Sequence, residues 1–142
     1  VKGLALSGGD LIVGEGGYGM LTGASRIRQD LALALAEPYG NDQYHPTWGS
    51  VLSSYIGQPL DAELELLVRS EVVRVLQQYV DGQAADLATD ALSGARSRYD
   101  YGDVVSQIVS ITTIPSFDTV VVAVELKTRA GAMVKIARTV NL

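Results

Sequence analysis

The segment TVVVAVELKT, residues 119–128, constrains the fold of this chain more than any other stretch. Val120, Val122, Val124 and Leu126 alternate with Ala123, Glu125 and Lys127, the period-two pattern of a strand with one face on a core and one in water. Such a strand needs neighbours. The sequence supplies them in residues 104–114 (VVSQIVSITTI) and 133–140, both rich in β-branched residues. Pro115-Ser116 with Asp118 marks one turn and Ala130-Gly131 the other. In the last segment Val134, Ile136 and Val140 fall on one face and Lys135 on the other. The expected C-terminal unit is a small antiparallel meander.

The middle of the chain has helical periodicity. Ile27, Leu31, Ala34 and Leu35 form one amphipathic stripe, with Ser25 as N-cap and Pro38 and Gly40 as stop. Arg26 and Arg28 sit in the first turns, where the helix dipole disfavours cations, so one of them calls for a partner. A second helix starts at Asp61, a good N-cap followed by Glu63 and Glu65. Its apolar face runs through Leu64, Leu67, Val68, Val72, Val75, Leu76 and Tyr79. Asp81-Gly82 reads as an interruption before a third segment carrying Ala84, Ala88, Ala91, Leu92 and Ala95.

Eight of the fifteen glycines lie in residues 1–23, which reads as a loose arm with one or two short strands. The expected class is therefore α+β, helices followed by a small antiparallel sheet, with a Gly-rich arm over 1–22 and a single domain over 23–142. Gly14, Gly16 and Gly19 match the dinucleotide fingerprint, but no second strand ending in an acid follows, and glycine in an arm is the reading taken.

Composition excludes several functions. No apolar run approaches the length needed to cross a bilayer, and the first residues lack a signal peptide's apolar centre. Without cysteine there is neither a disulfide framework nor a thiolate metal site, consistent with a reducing cytoplasm. The net charge of −5 argues against general nucleic-acid binding. Basic charge gathers at the end, where Lys127, Arg129, Lys135 and Arg138 outnumber Glu125.

Residues 37–60, EPYGNDQYHPTWGSVLSSYIGQPL, hold three of the four prolines and the chain's single His and single Trp. Glu37 and Asp42 are the one carboxylate pair a loop could bring together for glycosidic chemistry, which needs one of them with a raised pKa. His45 has no nucleophile, orienting acid or second metal ligand to work with. No catalytic, metal or cofactor residue is expected. The stretch reads as a structural elbow built on Gly40, Tyr44, Pro46, Trp48 and Gly49.

The run from Gly23 to Leu60 resembles the core signature of the baseplate wedge proteins that initiate the sheath of contractile phage tails, also found in related contractile injection systems. Gly23 and the step Gln29-Asp30-Leu31 match the family's first helix. Gly40, then Pro46, Trp48 and Gly49, match its turn and Pro-x-aromatic-Gly element. Where many members have Glu-Pro-Arg before the first C-terminal strand, this chain reads SRYDYGD, with Arg96 or Arg98 and Asp100 as substitutes. The resemblance implies a non-enzymatic adaptor in the virion tail, assembled in the host cytoplasm in six copies, with neither nucleic acid nor membrane as partner. Its implied partners are the tail sheath protein and other wedge, hub or tube proteins. The sheath would be met by strand addition at the C-terminal strands, through Lys127, Arg129, Val134, Lys135, Ile136, Arg138 and Val140. Alternatives are a peptidoglycan-cleaving tail lysozyme and an adaptor module of a non-contractile tail.

Overall fold

The computed structural model describes residues 1–142. Its element order corrects the helices-first expectation, because the chain opens on six short strands. These are β1 (Gly3–Leu4), β2 (Leu6–Ser7), β3 (Asp10–Leu11), β4 (Val13–Gly14), β5 (Gly17–Tyr18) and β6 (Met20–Leu21). Helices α1 (Gly23–Ala36) and α2 (Ala62–Ser93) follow, then strands β7 (Val105–Ser116), β8 (Thr119–Thr128) and β9 (Met133–Asn141). The class remains mixed α+β, with strands at both ends and helices between.

The arm is ordered by a seven-residue repeat. β1 pairs with β6, β2 with β3 and β4 with β5, all antiparallel. The three ladders meet at Ala5, Ile12 and Gly19, whose backbones close a ring: Ala5 N–H donates to Gly19, Gly19 N–H to Ile12 and Ile12 N–H to Ala5, at 2.7–2.9 Å. Gly8 and Gly9, both at positive φ, make the tight turn of the second lobe. A Cβ on Gly19 would stand 3.2 Å from that of Ala5 and 3.4 Å from that of Ile12, so a side chain there would have to press its neighbours aside by a few tenths of an ångström.

Three C-terminal strands form one sheet in the order β7-β8-β9, with β8 central. The alternation of β8 is as the sequence predicts: Val120, Val122, Val124 and Leu126 are buried. β7 runs two residues further than expected, through Pro115 to Ser116, because an edge strand tolerates a residue without an N–H. The two-residue turn is Phe117-Asp118. Both helices cover the same sheet face, and the core joins Ile27, Leu31 and Leu35 of α1, Val68, Val72 and Leu76 of α2 and the inward residues of β8 and β9. The opposite sheet face has no cover.

Helix α1 starts at Gly23 with Thr22, not Ser25, as N-cap. Gly23 sits at φ 58 and donates its N–H to Asp103 at 2.6 Å, which fixes where the arm ends and the helix starts. Helix α2 begins as predicted, with the Asp61 carboxylate accepting from Leu64 N–H at 2.8 Å, and ends at Gly94 in the left-handed region. It is one continuous helix of 32 residues, roughly 48 Å long, so the expected break at Asp81-Gly82 is absent. A helix-interior glycine costs only about 1 kcal/mol relative to alanine, less than the contacts on either side supply. The apolar face is also narrower than expected, since Leu67 is exposed and Leu92 stands 91% exposed.

Candidate functional site

The two outer strands of the sheet differ in how their unpaired edges are treated. Val104 C=O accepts from Arg129 on the β8 side, so Asp103 C=O and Val105 N–H, which alternate with it, point away from β8. The buried Gln83 amide takes both, donating to Asp103 C=O at 2.7 Å and accepting from Val105 N–H at 3.0 Å. β7 then carries two register shifts, at Val105/Gln107 and Ile108/Ser110, and Pro115 near its end. Bulges, proline and a capping side chain are the usual ways of blunting an edge. β9 has none of these. Its nine residues pair with β8 without a shift, and no other group of the chain bonds to their backbone.

The residues expected to meet a partner at β9 divide by burial. Val134, Ile136 and Val140 are core residues, so their side chains are committed within the chain. Lys127, Arg129, Lys135 and Arg138 are exposed. Lys135 pairs across the sheet with Glu125 at 2.7 Å, and that hydrogen bond raises its pKa. Arg138 lies opposite the buried Val122, on the helix-covered side of the alternation, next to Leu52 and Ile56. An inward-facing charge on an edge strand disfavours indiscriminate strand pairing.

The elbow between the helices is rigid for reasons the sequence only partly reveals. Ser50 N–H donates to Glu37 C=O and Tyr39 N–H to Ser50 C=O, a bridge that brings Pro38 beside Ser50. Gly49 sits at φ 96, where a Cβ would fall 2.7 Å from Glu37 O and 2.9 Å from Pro38 O. Gly40 N–H donates to Trp48 C=O. Three side chains on one face of α2 hold the loop. Glu71 accepts from Val51 N–H at 2.8 Å, Arg74 donates to Gly49 C=O at 2.7 Å and stacks 5.0 Å from the Tyr39 ring, and Gln78 donates to Thr47 C=O at 2.9 Å. Burial pushes the Glu71 carboxyl up, but the Arg74 and Val51 donors outweigh it and hold the pKa low.

Sequence reasoning missed these three, because on a helix they resemble a solvated face. It also overestimated two anchors: Tyr44 is 79% exposed, and Trp48 is half-buried against the core. Glu37 accepts from Asn41 at 2.6 Å, while Asp42 accepts from Tyr44 N–H and meets His45 Nδ1 at 2.9 Å. The His45 contact lowers the Asp42 pKa, the opposite of what a general acid requires. No group of three or more His, Asp or Glu side chains is gathered to hold a metal, and no helix is long and apolar enough to cross a membrane.

The four residues of the first-helix motif each have a structural partner. Gln29 holds the arm, its amide donating to Leu4 C=O at 2.7 Å and accepting from Leu6 N–H at 2.8 Å. Asp30 pairs with Arg26 at 3.0 Å and accepts from Tyr79 OH at 3.1 Å, which supplies the partner that Arg26 lacked in sequence. Burial nonetheless leaves the Asp30 pKa raised. Leu31 is fully buried and Gly23 closes on Asp103. In SRYDYGD, Arg98 pairs with Asp90 and Asp86 rather than Asp100.

Between α1, the elbow and α2 lies a half-open cleft of about 360 Å³, lined by Trp48, Tyr79, Gly82, Asp86 and Tyr99 among others. Tyr99 donates to Asp86 at 2.7 Å, and burial followed by that bond pushes its pKa up to about 12. The Tyr79 phenol is raised further, again by burial first.

No protein-family model matches the chain, and no curated protein matches it. Among solved structures it is similar to a Geobacter sulfurreducens protein described as a "putative tail lysozyme". That match has 13% identity and a TM-score of 0.59, over 86% of this chain and 94% of the other. At that identity what the two proteins share is the fold.

Proposed function

We propose that this chain is a structural component of a contractile tail baseplate, where the free edge of β9 accepts a strand from a tail sheath protein and starts sheath polymerisation. The observation that carries the reading is the asymmetry of the sheet edges. One is bulged and capped by Gln83, while the other is nine residues long and regular, and the N–H and C=O groups that its alternate residues turn outward have no partner in the chain. Backbone pairing at such an edge supplies affinity, and the exposed cations Lys127 and Arg138, on opposite faces of the sheet, favour an arm rich in Asp or Glu. The fold it shares with a protein described as a tail lysozyme supports a tail-related role. Partners in the wedge, hub or tube and a sixfold arrangement follow from the same reading.

A tail lysozyme is the second reading, favoured by the neighbour's name. Against it, Glu37 gives one oxygen to Asn41 and Asp42 gives both of its own to Tyr44 N–H and His45, all local turn contacts.

β9 is part of the core, so deleting it would unfold the chain and test nothing. Ala137 and Arg138 are adjacent and exposed, and in a strand one of their N–H groups faces β8 and the other faces out. Proline is placed at each in turn. The variant that loses the outward N–H should fold with unchanged circular dichroism yet fail to seed sheath assembly on baseplates. Normal sheaths from both folded variants would sink the reading.

A further inference from the structure

The turn between β8 and β9 fixes which way each backbone group of β9 points. Thr128 N–H donates to Ala132 C=O and Gly131 N–H to Thr128 C=O, so Thr128 and Ala132 face each other across the ladder. At the far end Leu142 N–H donates to Asp118 C=O, in the same phase. Counted by twos between those points, Val134, Ile136, Arg138 and Val140 turn their N–H and C=O groups to β8, and Met133, Lys135, Ala137 and Thr139 turn theirs outward. Side chains divide the same way, the first four on the helix-covered face and the second four on the bare one. Arg138 is therefore a cation in a row of core residues. It is exposed and its guanidinium has no partner in the chain, whereas Lys135 on the other face is already tied to Glu125. Beside it a notch of about 90 Å³ joins Leu52, Ser53 and Ile56 to the Arg138–Asn141 end of β9, with no residue of β8 in its lining and Ile56 65% exposed.

We infer that the β9 edge selects the strand it accepts: an antiparallel segment with an acidic side chain opposite Arg138 and an aliphatic one two residues earlier, opposite Val140. This rests on the strand-addition reading and specifies its partner. Arg138 spends its own N–H and C=O on β8, so on the free side it stands in a non-hydrogen-bonded pair, where Cα atoms are about 4.5 Å apart and side chains come closest. An acid there neutralises the cation that an incoming strand desolvates, while an apolar or basic side chain leaves it covered and unpaired. On the same face, the side chain opposite Val140 enters the notch and covers Ile56. The residue between them, opposite Thr139, lies on the bare face and meets no such demand. An antiparallel arrival continues a sheet whose pairs are all antiparallel, and is slightly the stronger per residue. Read from its N-terminus, the partner motif is aliphatic, any residue, acid.

The isotope-labelled chain is titrated with the peptide Thr-Ile-Thr-Glu-Thr-Ala-Thr, blocked at both ends, with its lysine-for-glutamate counterpart and with the reversed sequence Thr-Ala-Thr-Glu-Thr-Ile-Thr. The amide resonances of Lys135, Ala137 and Thr139, which face outward, are followed. The first peptide should shift all three saturably. The lysine peptide should bind about tenfold more weakly, since opposite charges become like charges in one cross-strand pair. The reversed peptide, which puts alanine at the notch, should bind roughly fivefold more weakly. Arg138→Glu, at an exposed position, should keep the circular dichroism of the parent and invert the order, so that the lysine peptide binds more tightly than the first. Should that variant fail to fold, the three peptides on the parent chain decide. Equal binding of the glutamate and lysine peptides, or a reversed peptide that binds as well as the first, overturns the inference and leaves strand addition standing. No response of those amides to any of the three removes both.

Discussion

Replacing Gln83 by Met tests whether the capped edge of β7 depends on one side chain. Methionine has similar length and flexibility, so the replacement leaves no cavity and removes only the amide. Gln83 is 4% exposed, and both its partners are backbone groups pointing away from β8. Asp103 C=O and Val105 N–H would each be left buried without a partner, at about 1–3 kcal/mol apiece. Part of this is recovered by burying the thioether, so the expected loss is about 2–4 kcal/mol. In urea, with a slope of about 1–3 kcal/mol/M, the midpoint should fall by roughly 1–2 M at unchanged slope, and Val105 N–H should lose exchange protection. Gln77→Met is the control, since Gln77 touches only the exposed Asp81. Gln83→Glu sharpens the test: ionised, it cannot donate to Asp103 C=O, but protonated it can, so its stability should recover as pH falls. A midpoint for Gln83→Met within about 0.2 M of the Gln77 control would refute the role assigned to the amide.

Two further outcomes follow from the elbow and the acidic side chains. Gly49→Ala should cost about 2–5 kcal/mol in thermal or urea unfolding, because it combines positive-φ strain with a backbone clash, whereas Gly57→Ala, with open space, should cost only the strain. Glu71 and Asp90 have lowered pKa values. The first is held down by Arg74 and Val51 against its burial, the second by the Arg98 side chain and then its N–H. Groups depressed on folding contribute stability above their unfolded pKa and lose it as pH drops through the folded one. The unfolding midpoint should therefore fall steeply below the ordinary carboxylate range, and less so in Glu71→Gln, which has already lost its share at neutral pH.

The parts of this fold that a reader of the sequence could find are those where one periodicity runs long enough to count. β8 was recoverable because Val122, Val124 and Leu126 alternate with Ala123, Glu125 and Lys127 in a β-branched run, although Val121 breaks the alternation, and α1 because Ile27, Leu31, Ala34 and Leu35 repeat at helical intervals after a charged first turn. The continuity of α2 was not, since Asp81-Gly82 carries the composition of a break while the contacts that override it come from Arg98, Tyr99 and the start of β7, remote in sequence. The six N-terminal strands are two residues each, below any window in which alternation can be seen. Their true signal is the recurrence of LAL, LIV and YGM at residues 4, 11 and 18, a period belonging to neither helix nor strand. In the elbow, glycine at Gly49 was readable from its turn context. The grip of Glu71, Arg74 and Gln78 was hidden because each is aimed at a main-chain atom, and main-chain atoms leave no trace in a sequence.

That recurrence also limits how the arm can change in length. The ring through Ala5, Ile12 and Gly19 closes because each lobe spends the same number of residues returning to the centre. An insertion or loss of one or two residues inside a lobe would shift every donor past its acceptor and turn Leu4, Leu11 or Tyr18 to the wrong face. Only changes confined to the tips at Gly8-Gly9 and Glu15-Gly16, beyond the last paired residues, leave the registers intact. The arm is thus a segment whose paired residues are fixed in number while its two tips can vary, and a loop exchange that cuts inside the pairs would be read by the fold as a frame error.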